Sequence, residues 1–191
     1  NVSAFGPPPA GRAAWRLGIR HPRREGRLAG TLAVDSGSVA TSGDSEQFFV
    51  ADGVRYSHLM DPRTGRPARG VVQVTVVADS GVHADALSTA LFVLGPGEGR
   101  ALLESPAVRR RAPRAAAAWI LDPGAGADFG REELACAGDR AGAVRLWIGR
   151  GDGGVADTLP GGCLVVPAGA PPGDDRPADR RGSRPAGGGR R

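Results

Sequence analysis

The sequence predicts an α+β chain, and three stretches predict it. Val71–Ala78 carries six β-branched residues in eight positions, a composition that fits a pleated, well-packed strand in the middle of a sheet. From Ala84 to Leu94 the period changes, with Leu87, Leu91 and Leu94 at i, i+4 and i+7 on one helical face and Gly95-Pro96 to end the run. Ala115–Leu121 then returns as a short apolar strand closed by Asp122-Pro123-Gly124.

The remaining elements follow in order. After Gly6 and Pro7–Pro9, Ala14–Arg20 alternates apolar and polar residues and reads as a strand stopped by Pro22, and Leu28–Val34 reads as a second strand. The small residues of Val39–Asp44 read as a turn between strands, with Gly43 able to let backbone approach a ligand. Gln47–Ala51 and Val54–Met60 flank Asp52-Gly53, whose tolerance of positive φ predicts a tight hairpin. A short helix is expected over Glu98–Glu104 and a strand over Val144–Ile148. Residues 1–130 read as one domain and 131–166 as a poorly patterned extension. In 167–191 Gly, Pro, Arg and Asp dominate, and so few apolar side chains cannot offset backbone ordering, so a disordered tail is expected.

Composition removes several function classes. All 25 basic residues are arginine, the formal charge is +5 and 40% of residues are hydrophobic, enough for one core. The arginines concentrate in 12–27, in 109–114 and in the tail after 176, runs that read as solvated surface rather than a nucleic-acid site. Cys136 and Cys163 have neither the number nor the spacing of a disulfide framework. The apolar runs are too short to span a bilayer, and no charged segment followed by an apolar one marks a signal peptide. A first residue of Asn1 rather than Met suggests a processed chain or a fragment.

Two places have residues suited to chemistry. A strand ending in Tyr56-Ser57-His58-Leu59-Met60 delivers His58 just before Asp61-Pro62-Arg63-Thr64-Gly65, a type I turn pattern with Gly65 free for positive φ. An imidazole there suits a base working near neutral pH, although a histidine that merely packs is the plainer reading of the residue alone. Asp85 and Thr89 are four apart at the start of the helix, so their oxygens share a face and fit magnesium, a hard cation that completes its octahedron with water or phosphate. The helix N-terminus would favour an anion beside that ion; a carboxylate merely stabilised by the helix dipole is the alternative.

In order, Ala40-Thr41-Ser42-Gly43-Asp44, the run Tyr56–Gly65 and Ala84-Asp85-Ala86-Leu87-Ser88-Thr89-Ala90-Leu91-Phe92-Val93-Leu94-Gly95 resemble the ApbE family of flavin transferases. Trp15–Pro22 resembles the strand that precedes them, so the resemblance covers about residues 1–121. It implies a mixed, mainly antiparallel sheet with packed helices, related to the T-fold and here incomplete at the N-terminus. It further implies that residues 1–130 form the C-terminal part of a domain that splits FAD, passes FMN to a threonine hydroxyl of an acceptor flavoprotein and releases AMP. On this resemblance His58 is the catalytic base, Leu59 contacts the flavin through its backbone, and Asp85 and Thr89 hold Mg²⁺, with Asp61 and Arg63 in support.

The family's N-terminal FAD cradle and a further metal ligand have no counterpart here, and Asn1–Gly6 resembles the stretch after the family's paired glycines. A half-site of this kind is expected to bind FAD poorly. Two other readings stay open: a hydrolase that cleaves FAD to FMN and AMP, and a non-enzymatic remnant. The resemblance places the full-length protein at the membrane or outside the cytoplasm, with any membrane association carried by segments absent from this sequence.

Overall fold

The computed structural model describes residues 1–122 in full and, as backbone, four short strands beyond them: Leu134–Gly138, Val144–Ile148, Thr158–Leu159 and Cys163–Leu164. In chain order the elements are β1 (Val2–Ala4), β2 (Trp15–Arg20), β3 (Leu28–Val34), β4 (Gly37–Gly43), β5 (Phe48–Ala51), β6 (Val54–Ser57), β7 (Met60–Asp61), β8 (Arg66–Pro67) and β9 (Val71–Ala78). Helices α1 (Gly81–Glu104) and α2 (Pro106–Arg111) follow, then β10 (Ala116–Leu121) and the four later strands as β11 to β14. The expected disordered tail at 167–191 lies outside the described residues.

Strand β9 is central, as its valines predict: one sheet runs β1-β4-β9-β10-β11 and a second β12-β3-β2. Every described pairing is antiparallel, so the sheet expected to be mixed is not mixed among the described residues. Both sheets continue past residue 130, through β11 beside β10 and β12 beside β3.

The five-stranded sheet is the middle of three layers. Val74, Val76 and Ala78 of β9 join Ala40, Ala117 and Trp119 beneath Ala84, Leu91, Phe92 and Leu103 of α1. Val77, Val39 and Ala118 point the other way, onto Ile19, Leu32 and Val34 of the second sheet. Covered on both sides, all eight residues of β9 are buried. Each fully buried valine of this kind contributes about 1.5–3 kcal/mol of transfer free energy.

Helix α1 joins what the sequence reads as two helices. Gly95 (φ 69°, ψ 179°) breaks the run and Pro96 starts the second segment, the position where its missing N–H costs nothing. The first segment begins at Gly81 rather than Ala84, because the Ser80 hydroxyl caps it by accepting from the His83 N–H. The indole N–H of fully buried Trp119 donates to the Leu91 carbonyl at 3.0 Å, one turn before the break. A Cβ on Gly99 would lie 2.9 Å from the Trp119 ring, so only glycine lets the second segment approach β10 this closely.

The stretch Val39–Asp44, expected to be a turn, is most of β4. Its residues are small because Ser38, Val39 and Ala40 are enclosed between layers, and Gly43 passes so near β9 that a Cβ would meet the Val72 carbonyl at 3.1 Å. The predicted hairpin forms around Asp52 (φ 51°) and Gly53 (φ 74°), the positive pair of a type I′ turn. Its second strand ends at Ser57, and Met60–Asp61 pair separately with Arg66–Pro67. Pattern alone does not announce β1, β8, β11, β13, β14 or helix α2; α2 places the run Arg109–Arg111 on an exposed helical surface, with Ser105 as its cap.

Candidate functional site

On the face of β9 toward the second sheet the residues run Val77, Thr75, Gln73, from apolar to polar. Thr75 hydrogen-bonds across to Thr41 at 3.0 Å, and Gln73 Nε2 donates to the Arg20 carbonyl at 3.4 Å. Where this polar end begins, a cleft of about 970 Å³ opens, and His58, Leu59, Asp85 and Thr89 all line it. The structure therefore brings the four residues singled out in the sequence to one cavity.

His58 is exposed at the base of the β5–β6 hairpin and held twice to one atom: its N–H (3.1 Å) and its Nδ1 (3.0 Å) both meet the Gln47 carbonyl. A carbonyl only accepts, so Nδ1 carries a proton, and in the neutral ring it is Nε2 that keeps the lone pair. Beside it, the Leu59 N–H donates to Ser57 Oγ at 2.8 Å and the Leu59 carbonyl accepts from the Ala68 N–H at 2.8 Å. The Leu59 N–H is thus already engaged, and only the carbonyl's second lone pair and the side chain are left for a ligand.

Across the cleft, the exposed Asp85 carboxylate accepts from Asn1 Nδ2 at 2.9 Å. Because α1 starts at Gly81, Asp85 sits one turn inside the helix rather than among its free N–H groups. Below it Ser88, fully buried, donates to the Asp85 carbonyl at 2.9 Å, while Ser42 Oγ lies 2.8 Å from Ser88 Oγ and 3.3 Å from Thr89 Oγ1. Carboxylate and hydroxyl are hard oxygen donors and fit a magnesium ion that keeps most of its water. Among the described residues no group of three or more His, Cys, Asp or Glu side chains gathers to hold a metal, so such an ion would draw its other ligands from water or phosphate.

Arg23 grips buried Asp44 through both guanidinium nitrogens, which gives the acidic end of Thr41-Ser42-Gly43-Asp44 a structural task. Arg55, also in the cleft wall, stacks 3.5 Å over the Phe48 ring. Partial burial and the neighbouring Arg23 lower its pKa, against the opposite pull of Asp44.

Asp61 and Arg63 are not part of this cleft wall. Asp61 holds its own turn, its carbonyl accepting from the Gly65 N–H at 2.8 Å and its carboxylate from the Arg63 N–H at 2.9 Å. Arg63 ties that turn to Glu98 on α1 at 2.8 Å. Hydrogen bonds from the Arg63 side chain and backbone hold the Asp61 pKa below the usual carboxylate range, and the two carboxylates raise that of Arg63. The pair therefore stands outside the cleft and ties the turn after His58 to α1. Conversely, Ser42 and Gln73 line the cleft and Ser88 lies beneath it, although no residue pattern marks them; Ser42 and Ser88 fall inside two of the motifs that carry the family resemblance.

Fold and cleft together define an α+β protein in which an imidazole and a carboxylate–hydroxyl pair line one cavity. The model of the ApbE family matches residues 1–111, and the chain belongs to that family. It is 48% identical over 102 residues to a curated FAD:protein FMN transferase of Treponema pallidum, covering 52% of this chain and 28% of that protein. It is 45% identical over 86 residues to another of Rhodobacter capsulatus, covering 44% and 16%. The crystal structure of the ApbE protein of Thermotoga maritima superposes with a TM-score of 0.51 at 41% identity, covering 62% of this chain and 37% of that one. The chain thus spans less than a third of these curated relatives.

Proposed function

We propose that this chain supplies one wall of the active site of a magnesium-dependent FAD:protein FMN transferase. In that reaction His58 Nε2 takes the proton of an acceptor threonine hydroxyl, the threonine oxygen bonds to the FMN phosphorus, and the pyrophosphate P–O bond breaks to release AMP. The observation that carries the reading is the double hold of Gln47 on His58, which leaves Nε2 as the acceptor of the neutral ring on a residue that lines the same cleft as Asp85 and Thr89. Asp85 and Thr89 would hold Mg²⁺, which when bound neutralises pyrophosphate charge. Leu59 lies beside the base, where the flavin would pass. The acceptor is a flavoprotein exposing its threonine at the membrane or outside the cytoplasm; no helix among the described residues is long and apolar enough to cross a membrane.

The test is AMP release from FAD with Mg²⁺ and a threonine-bearing acceptor, scored together with covalent flavin on the acceptor. His58→Gln is expected to lower both by about 10²-fold or more, the scale of a general base, and Asp85→Ala to abolish the magnesium dependence. AMP accompanied by free FMN and an unlabelled acceptor would replace transfer by hydrolysis. AMP release left unchanged by both His58→Gln and Asp85→Ala would overturn the proposal that this wall carries the base and the metal ligands.

A further inference from the structure

Four atoms beneath the cleft form a hydroxyl chain that ends on a carbonyl. The Asp85 carbonyl can only accept, and Ser88 donates to it at 2.9 Å. Ser88 Oγ, its proton spent, can meet Ser42 only as an acceptor, so Ser42 donates across the 2.8 Å contact. Ser42's own proton is then spent as well, and the 3.3 Å contact with Thr89 requires Thr89 to donate. The Thr89 proton therefore points down toward β4, and both lone pairs of Oγ1 are free on the cleft side. Ser88 is fully buried, and this is the order of donors in which every hydroxyl proton stays inside the chain.

We propose that Ser42 and Ser88 are positioning residues that aim the Thr89 lone pairs, together with the Asp85 carboxylate one turn earlier, at a divalent cation. The proposal rests on the reading of Asp85 and Thr89 as metal ligands and adds the reason their oxygens present acceptors rather than a proton. It also explains why a fully buried hydroxyl stands at position 88, on a helix face otherwise packed with Ala84, Leu91 and Phe92. An alanine there would fill the space and cost less to bury.

The probe is Mn²⁺, which shares magnesium's preference for oxygen ligands, titrated into this chain and followed by the paramagnetic resonance of the free ion, with Mg²⁺ as competitor. Ser42→Ala should weaken Mn²⁺ binding about 10-fold, the lower end of the range for outer-shell partners. Ser42→Thr, which keeps the hydroxyl, should restore most of it. Ser88→Ala, which frees the Ser42 proton to turn toward Thr89, should weaken binding less than Ser42→Ala. Melting without metal should stay close to that of the unaltered chain in all three, separating aim from fold. If Thr89→Val and Asp85→Asn lose Mn²⁺ while Ser42→Ala keeps it, the relay is wrong and the metal reading survives. If Ser42→Thr binds as weakly as Ser42→Ala, the hydroxyl is not what matters and the relay is again overturned. If Thr89→Val and Asp85→Asn bind like the unaltered chain, or if that chain binds no Mn²⁺, the metal reading fails and the relay with it.

Discussion

Strand β9 meets two different environments with one backbone. Toward α1 it shows Val74, Val76 and Ala78 to a dry layer built on Trp119, Phe92 and Leu91, whereas toward the second sheet it shows Val77 and then Thr75 and Gln73 where the cleft opens. The difference teaches that the face toward the second sheet can turn polar at its cleft end because the face toward α1 stays apolar. Removing the dry face should therefore have the largest effect. Trp119→Ala deletes a fully buried ring and its bond to the Leu91 carbonyl, and should cost about 3–5 kcal/mol in urea unfolding.

Gly99→Ala attacks the same face by overfilling it. The new Cβ would stand 2.9 Å from the Trp119 ring and 3.0 Å from Leu91 Cδ2, and overpacking of this kind costs about 1–3 kcal/mol. A melting temperature equal to that of the unaltered chain would show that α1 slides freely over β10 and that the layer is less rigid than its contacts imply. On the opposite face, Thr75→Val keeps the shape and loses only the bond to Thr41, whose hydroxyl is exposed and can turn to water. The cost there should stay near or below about 1 kcal/mol; a larger loss would mean that the polar face also carries the fold.

The two faces differ equally in how far the sequence discloses them. β9 is legible because its valines fit only a strand, and α1 because leucine spacing and Gly95-Pro96 mark a face and a break. Strand β4 is not legible: Ser38, Val39 and Ala40 are small because two layers enclose them, and small polar residues read locally as a turn. The start of α1 is hidden for a similar reason, since Ser80-Gly81 caps a helix whose apolar face begins only at Ala84. In the site, His58, Asp85 and Thr89 stand out through motifs in register, but the atom that decides the histidine's tautomer is a backbone carbonyl, Gln47, which no residue type encodes. Ser42 and Ser88 come from different elements 46 residues apart, and only the pairing of β4 beneath α1 joins them.

The smallest effect expected is at the turn that ties the two sides together. Asp61, Arg63 and Glu98 link the loop after His58 to the second segment of α1, and Arg63 keeps the Asp61 pKa below its ordinary value. A carboxylate whose folded pKa lies below its unfolded one stabilises fully above the unfolded value, about 3.9 for Asp, and loses that contribution as pH falls through the folded one. Asp61→Asn keeps an oxygen for the Arg63 N–H but removes the charge and the second acceptor, which meets Arg63 Nη2. The melting temperature of Asp61→Asn should therefore lie slightly below that of the unaltered chain at pH 6, and the gap should close as the pH drops below about 4. High salt should shrink the same gap at pH 6, because the Arg63 side chain is about half exposed and its attraction for Asp61 is partly screened. A gap unchanged from pH 6 into the acid range would show that Arg63 holds the turn through geometry alone, and that α1 is anchored over the cleft by its apolar face without help from this charge.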